Sequence, residues 1–89
     1  MTSKNIQILR KADVLQKISI SKATLHRKIN NGTFPPSIDL GANSVGFLAH
    51  EIDLIIVAMA TNQDLKATVE RIIEKRNTLL SEALIQLAA

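Results

Sequence analysis

One stretch, residues 9–40, limits the fold more than any other, because it holds two short helical patterns joined by a tight turn. In the first pattern, apolar residues recur at three- and four-residue spacing, which places them on one face of a helix. That face is either Ala12, Leu15 and Ile18 or the pair Val14 and Ile18. The first pattern therefore predicts a short amphipathic helix.

The second pattern has a recognisable start and end. Ser21 is a better helix N-cap than Ser19, because a periodic run follows it and its hydroxyl can accept a hydrogen bond from a first-turn amide. Leu25 and Ile29 lie four residues apart and are the expected buried pair. The segment 30–32 is Asn-Asn-Gly, which tolerates positive φ and should end the helix. This length and spacing predict a helix-turn-helix, whose second helix can enter the major groove of DNA.

A different pattern follows the second helix. The prolines at 35–36 cannot continue a helix, since proline lacks a backbone donor and constrains the residue before it. Residues 38–40 alternate between apolar and polar side chains, residues 41–44 favour a turn, and residues 45–48 would form the returning strand. Together they predict a small two-stranded hairpin with the dimensions of a wing.

The segments on either side are also patterned. Residues 1–8 are expected to form an arm or a first extended segment, since Ile6 and Ile8 alternate with polar neighbours. A third helix should begin at Ala49, and its run 54–60 is apolar on all sides, which predicts burial.

Residue 63 marks the start of a last segment, which we separate from a DNA-binding part at 1–62. Asp64 can cap a helix there. A helix that continues from Asp64 to the C-terminus would extend ~36 Å, which is more than the preceding part can cover. We favour association with another chain through its apolar face, and the alternative is that the helix folds back to complete the core. The residues proposed for oligomerisation are Leu65, Val69, Ile72, Ile73, Leu80, Leu84 and Leu87.

Charge is distributed unevenly along the 89 residues, whose net charge is +3. Residues 1–48 contain seven basic and two acidic side chains, a net charge of +5, whereas residues 49–89 contain four basic and six acidic ones, a net charge of −2. A polyanion would therefore bind the first half. The absence of cysteine excludes disulfides and cysteine zinc sites. With no signal segment and no apolar run near the ~20 residues of a membrane span, we expect a soluble, cytoplasmic protein.

The ordered pattern of the first two thirds resembles the AlpA family of phage and prophage regulators. The likeness covers roughly residues 8–58 without a gap. It implies a mainly α fold, a winged-helix, MerR-like helix-turn-helix related to excisionases that bend DNA and to regulators of integrase genes. The matching residues are Leu9-Arg10-Lys11, Val14, Ile20-Ser21, Thr24-Leu25, Arg27, Ile29, Gly32, Phe34-Pro35, Ile38, Leu40-Gly41, Val45, Phe47 and Glu51-Ile52-Asp53.

Departures from the family pattern are concentrated in the wing. Asn43 and Gly46 stand where arginines are common, and Asp39 stands where a basic residue is common. The wing therefore lacks positive charge, and its hold on phosphate or on the minor groove should be weaker than the resemblance implies. In the second helix, His26 stands where tyrosine is usual.

Side chains near the start of a helix in the major groove contact the base edges. Arg27 could donate two hydrogen bonds to a guanine, whereas Lys22 and Lys28 are expected to contact phosphates. Thr24 has two interpretations, a base contact or a purely structural role at the helix start. The candidate DNA-binding residues are Arg10, Lys11, Ser21, Lys22, Thr24, His26, Arg27, Lys28, Asn43 and Ser44.

Three functions are compatible with these patterns. The favoured one is a sequence-specific transcriptional regulator of a prophage or mobile element, bound to double-stranded DNA as a dimer. The alternatives are an excisionase that bends DNA, and a protein-interaction module that uses the C-terminal helix. We expect no enzyme, cofactor or metal site, because the chain has no phosphate loop, nucleophile elbow or suitably spaced carboxylates and histidines.

Overall fold

The computed structural model describes residues 7–88, which form a mainly helical unit with one small antiparallel sheet. The predicted helix-turn-helix, wing hairpin and long C-terminal helix are all present, which confirms the expected fold class. In chain order the elements are β1 (Ile8–Arg10), α1 (Lys11–Ile18), α2 (Lys22–Asn30), β2 (Ile38–Gly41), β3 (Ser44–Leu48), α3 (Ala49–Ala60) and α4 (Leu65–Ala88).

The first strand extends further than the sequence indicates. The helical pattern was expected from Leu9, whereas β1 continues to Arg10 and α1 begins one residue later. Asp13 sets this boundary, since its Oδ2 accepts a hydrogen bond from the Arg10 amide at 3.1 Å. β1 pairs antiparallel with β3, with Leu9 opposite Phe47. The wing hairpin therefore belongs to a three-stranded sheet of order β1-β3-β2, and Ile6 lies outside the described residues.

The turn between α1 and α2 is made by two serines. Ser19 ends α1 in the left-handed region at φ 64°, and its amide donates to the carbonyl of Leu15 at 2.8 Å. Ser21 caps α2 as predicted, because its hydroxyl accepts from the amide of Thr24 at 3.1 Å. Gly32 follows the end of α2 with φ 76°, a conformation that glycine adopts without steric cost.

Both helices of the helix-turn-helix, the loop before the wing, β3, α3 and the first half of α4 contribute buried side chains to one core. In α1, Val14 is fully buried and Ala12 is exposed, so the face containing Val14 is the buried one. Phe34 and Phe47 pack edge to face, with ring centroids 6.2 Å apart and an interplanar angle of 75°, a favourable aromatic geometry. The buried cluster consists of Val14, Leu25, Phe34, Phe47, Ile52, Ile55, Val69 and Ile72.

The sequence predicted that the third helix is buried on all sides, and this prediction is wrong. Ile52 and Ile55 are fully buried, but Leu54 and Val57 on the other side are more than half exposed. The reason is that α3 is an outer layer, packed on the sheet and against one flank of α4. An all-apolar sequence gives no indication of which side lacks a neighbour.

The C-terminal helix divides into two halves with different surroundings. Val69 and Ile72 are only 4% exposed within the monomer core, and Leu65 packs against that core. This corrects the assignment of these three residues to an interface with another chain, since their own domain already covers them. The remaining members of the predicted oligomerisation set are exposed: Ile73, Leu80, Leu84 and Leu87.

A buried ion pair attaches α4 to the rest of the unit. Glu51, 2% exposed, accepts two hydrogen bonds from Arg76, from Nε at 2.7 Å and from Nη2 at 2.5 Å. The same Nη2 donates to the carbonyl of Pro36 at 2.9 Å. The hydrogen bond to Glu51 raises the pKa of Arg76 above its ordinary value, partly offset by burial. Arg76 therefore joins α3, α4 and the loop that precedes the wing.

Candidate nucleic-acid interface

The second helix presents a continuous exposed face on the side opposite Leu25. Its residues recur at three- and four-residue spacing, and all four side chains are exposed. We name this the recognition face, and it consists of Ala23, His26, Arg27 and Asn30. The sequence analysis missed Ala23 and Asn30. The signal for both was available, because the helix face opposite a buried Leu25 and Ile29 pair must point away from the core.

Thr24 lies at the edge of this face and is involved in a local network. Its Oγ1 accepts a hydrogen bond from the Ser21 hydroxyl at 2.9 Å and from Arg27 Nη2 at 3.4 Å. Thr24 thereby orients the guanidinium of Arg27 along the helix surface. A phosphate contact by Ser21 would require its hydroxyl to rotate away from Thr24.

The start of α1 lies beside the recognition face. The Lys11 ammonium and the Nε2 atom of His26 are 3.3 Å apart, a distance at which Lys11 can donate to the ring. Arg10, one residue earlier, is exposed at the end of β1. Lys11 therefore borders the face that α2 presents, and Arg10 is a second exposed basic side chain immediately before it in the chain.

The remaining lysines of this region are placed differently from one another. Lys22 is exposed at the first position of α2, whereas Lys28 is half-buried in the last turn. Lys17 pairs with Asp53 of α3 at 3.1 Å, with both side chains largely exposed. Lys22 is therefore well placed for a phosphate near the start of α2, and Lys17 is already paired within the chain.

The wing turn is tight and has no basic side chain. Ala42 and Asn43 both have positive φ, 48° and 62°, as in the type I′ turns that close two-residue hairpins. Asp39 Oδ1 accepts from the amide of Gly41 at 2.8 Å, so a carboxylate stabilises the hairpin beside the turn. Asn43 is exposed and Ser44 is half-buried; contact of either residue with DNA stays a prediction.

Other kinds of site find no support in the described residues. Residues 7–88 contain no cluster of histidine and acidic side chains that could hold a metal ion. Within the same range, no helix is long and apolar enough to cross a membrane.

Comparison with known proteins agrees with this geometry. The family model described as prophage CP4-57 regulatory protein (AlpA) matches residues 7–54, more than half of the chain. The match begins just before β1, includes the helix-turn-helix and the wing, and ends within α3. No curated protein and no solved structure was found to match the chain. The chain therefore belongs to the AlpA family of prophage regulatory proteins, as the sequence pattern indicated.

Proposed function

We propose that this protein is a sequence-specific DNA-binding transcriptional regulator of a prophage or mobile element, and that it inserts α2 into the major groove. The observation that supports this most directly is the recognition face, four exposed side chains in register on one short helix. A groove ~12 Å wide admits one helix, and side chains of this type can reach base edges there. Family membership supports a regulatory role rather than an enzymatic one, and action on DNA would place the protein in the cytoplasm.

The side chains divide into two groups by chemistry. Arg27 can donate two hydrogen bonds to guanine O6 and N7, and Asn30 can pair with adenine in the same groove. Ala23 is small enough to let the helix approach the bases closely. Lys22, together with basic side chains from the start of α1, would contact phosphates, which position the protein without specifying sequence.

The wing is expected to contribute less to DNA binding than α2. Residues 38–48 contain Asp39 and no lysine or arginine, so the hairpin adds no attraction for phosphate. Sequence-specific binding would then depend on α2, and two copies on one site would supply the missing affinity. Such a dimer would also match the two half-sites that helix-turn-helix proteins commonly use.

Binding experiments with single variants test this division. Fluorescence anisotropy at ~0.15 M salt, where non-specific binding weakens, would use DNA from upstream of neighbouring genes and random DNA of equal length. Arg27→Ala should weaken the specific fragment by about 5- to 150-fold, the loss of one bidentate base contact. Lys22→Ala should weaken both DNAs alike and lower the salt slope by about one.

Matched controls are available on α4, where Arg71 and Lys66 are exposed. Arg71→Ala and Lys66→Ala should leave both affinities unchanged. The proposal fails if no fragment binds better than random DNA, and the assignment of roles fails if Arg27→Ala and Lys22→Ala reduce both affinities equally.

A second candidate function has one observation in its favour. The exposed apolar residues in the second half of α4 would suit a protein-interaction module, in which the helix-turn-helix no longer contacts DNA. Absence of any DNA preference, together with retained binding of a protein partner by α4, would favour this alternative.

A further inference from the structure

A groove lies between α3 and α4, apart from the recognition face of α2. Its volume is about 210 Å³, and only side chains of these two helices line it. At ~100° per residue, the side chains that α4 contributes lie within about 100° of one another around the helix axis, so they share one side of α4. The lining residues that bear on binding are His50 and Leu54 of α3 and Arg71, Ile72, Lys75 and Leu79 of α4.

The base of the groove is apolar. Ile72 is 4% exposed and belongs to the core, whereas Leu54 and Leu79 on the two helices are 51% and 38% exposed. Covering the two leucines would remove apolar surface from water, which favours binding. Because the groove is smaller than the ~300–1,000 Å³ of pockets for small molecules, it suits one anchoring side chain of a larger partner.

Two cations of the groove, Arg71 and Lys75, have no acidic partner in the described part of the chain. Both are exposed, and within residues 7–88 neither has a carboxylate within 4.0 Å. Glu51 and Arg76 also line the groove, but they bind each other and offer no free charge. Arg71 and Lys75 are four residues apart, which is about one helical turn, or ~6 Å along the helix. Two free cations one turn apart therefore flank an apolar surface.

We propose that the groove binds an acidic amphipathic helix of another protein. A large apolar side chain of this helix would lie between Leu54 and Leu79, and carboxylates one turn apart would pair with Arg71 and Lys75. Helices with apolar residues at positions i, i+3, i+4 and i+7 commonly occupy apolar grooves. α2 takes no part in this surface, so the interaction does not depend on DNA binding.

Duplex DNA fits the groove less well than an acidic helix. Its outer surface is a line of phosphates, with no apolar side chain that could fill the groove. Residues 49–89 carry a net charge of −2, and Glu70 and Glu74 of α4 are exposed. A long polyanion would be repelled by these carboxylates, whereas a short acidic segment need contact only Arg71 and Lys75.

Fluorescence anisotropy with a model peptide tests the charge requirement. The probe is a labelled helical peptide of about 18 residues with leucines at i, i+3, i+4 and i+7 and glutamates beside them. The full chain, without DNA and at ~0.05 M salt, should bind it about five- to thirtyfold more tightly than the same peptide with glutamines, the effect of two exposed ion pairs. The difference should narrow at ~0.5 M salt, where exposed charges are screened.

Single variants test the two components of the groove. Lys75→Glu should weaken binding of the glutamate peptide at least about fivefold, whereas Lys66→Glu, at an exposed position outside the lining, should change it less than about twofold. Leu54→Ala should also weaken it at least about fivefold, as expected for an anchor contact. Its control is Val57→Ala, because Val57 is 58% exposed on the same helix but does not line the groove. Helical circular dichroism should stay unchanged in all four variants.

Charge reversal tests whether the contact is direct. The double variant Arg71→Glu with Lys75→Glu should no longer bind the glutamate peptide. It should instead bind the corresponding lysine peptide, with an affinity within about threefold of the original pair. A folding defect would weaken both peptides, so only a direct contact can exchange the preference.

The proposal is overturned if neither the glutamate nor the glutamine peptide binds at ~1 mM, a weak limit for a specific contact, or if both bind equally. Equal losses in Leu54→Ala and Val57→Ala also overturn it. Loss of self-association of the double variant in sedimentation would identify a second copy as the occupant, and loss of its affinity for duplex DNA would identify a DNA contact. Either result overturns the assignment of an acidic protein partner, whereas failure of peptide binding alone leaves the proposed function intact.

Discussion

At Gly46 in the wing, neighbouring apolar side chains leave no room for a larger residue. A Cβ atom at this position would lie 2.5 Å from Ile8 Cγ2 and 3.1 Å from Leu40 Cδ1. The first distance is shorter than any normal carbon–carbon contact, which is optimal at about 3.5–4.0 Å. An arginine, common here in the family that the sequence resembles, would therefore require Ile8 to move. The outer surface of this sheet is closed by apolar side chains where a basic one was expected.

Asp39 is the other departure from the family pattern in the wing, and its effect on DNA binding can be tested directly. Asp39→Asn keeps an oxygen that can accept from the Gly41 amide and removes the negative charge beside the hairpin turn. Loss of repulsion toward phosphate should tighten DNA binding about two- to fivefold at low salt, with a smaller gain at high salt. Anisotropy titrations at two salt concentrations measure both effects.

The control for this change is Asp64→Asn, at an exposed position whose Oδ1 accepts from the Ala67 amide at the start of α4. Asp64→Asn removes the same negative charge at the start of α4, which is outside the wing. An equal gain in affinity for both variants would show that net charge matters and the wing does not.

At the scale of elements, Arg76 determines how α4 is attached. Arg76→Ala would leave Glu51 buried with its two hydrogen bonds unmade. Breaking such a pair costs about 3–5 kcal/mol when both partners are fully buried. Because the Arg76 side chain is 25% exposed, we expect a free energy of unfolding lower by about 2–3 kcal/mol, measured by urea denaturation. Arg71→Ala, the same change at an exposed position of α4, should cost less than about 0.5 kcal/mol.

If Arg76→Ala and Arg71→Ala lowered the free energy of unfolding equally, the ion pair between Glu51 and Arg76 would contribute little to stability. An intermediate variant, Arg76→Lys, keeps the charge but cannot donate to both carboxylate oxygens and the Pro36 carbonyl in the same planar geometry. Its free energy of unfolding should fall between those of Arg76→Ala and the parent protein.

Short-range signals in the sequence were sufficient to predict some secondary-structure elements but not others. The bounds of α2 followed from Ser21 and Gly32, because a cap and a positive-φ residue act within a few positions of the chain. The extension of β1 to Arg10 depends on pairing with β3, almost 40 residues away. The burial of Val69 and Ile72 likewise depends on α3. Periodicity identified these apolar residues but could not indicate which neighbour covers them.

The candidate site followed the same rule. Arg27 and Lys22 were predicted to contact DNA from their residue type and their place in a capped helix, and both side chains are exposed. The contact between Lys11 and His26 joins two helices across the turn, and no spacing in the sequence predicts it. Thr24 could not be interpreted from sequence, since a hydroxyl at a helix start suits both a base contact and the observed link between Ser21 and Arg27.

For the whole molecule, the basic side chains concentrate in the first half of the chain, whereas most of the large exposed apolar side chains lie on α4. The longest dimension is 44 Å against 34 and 23 Å, in keeping with a helix that projects from a small domain. Charge follows the same division, with a net charge of +5 before residue 49 and −2 after it. Pairing of two copies through the end of α4 would therefore leave the basic first half of each copy outside the contact.

Two truncations separate folding from association. A chain ending at residue 61 loses Val69 and Ile72 from the core, about 1.5–3 kcal/mol each, and leaves Glu51 without Arg76. Since a small domain is stable by only about 5 kcal/mol, this chain should lack a cooperative thermal transition. A chain ending at residue 77 retains all three contacts and should unfold cooperatively.

The longer truncation should also differ from the full chain in one informative way. Because Leu80, Leu84 and Leu87 are absent, its melting temperature should not depend on protein concentration, whereas that of a dimeric full chain should rise with concentration. Circular dichroism melts from ~5 to ~200 μM, a range that brackets weak dimer formation, measure this. A cooperative transition in the 61-residue chain would contradict the role of α4 in the core. A concentration-dependent melt of the 77-residue chain would move the association surface elsewhere on the domain, since the second half of α4 is the part that it lacks.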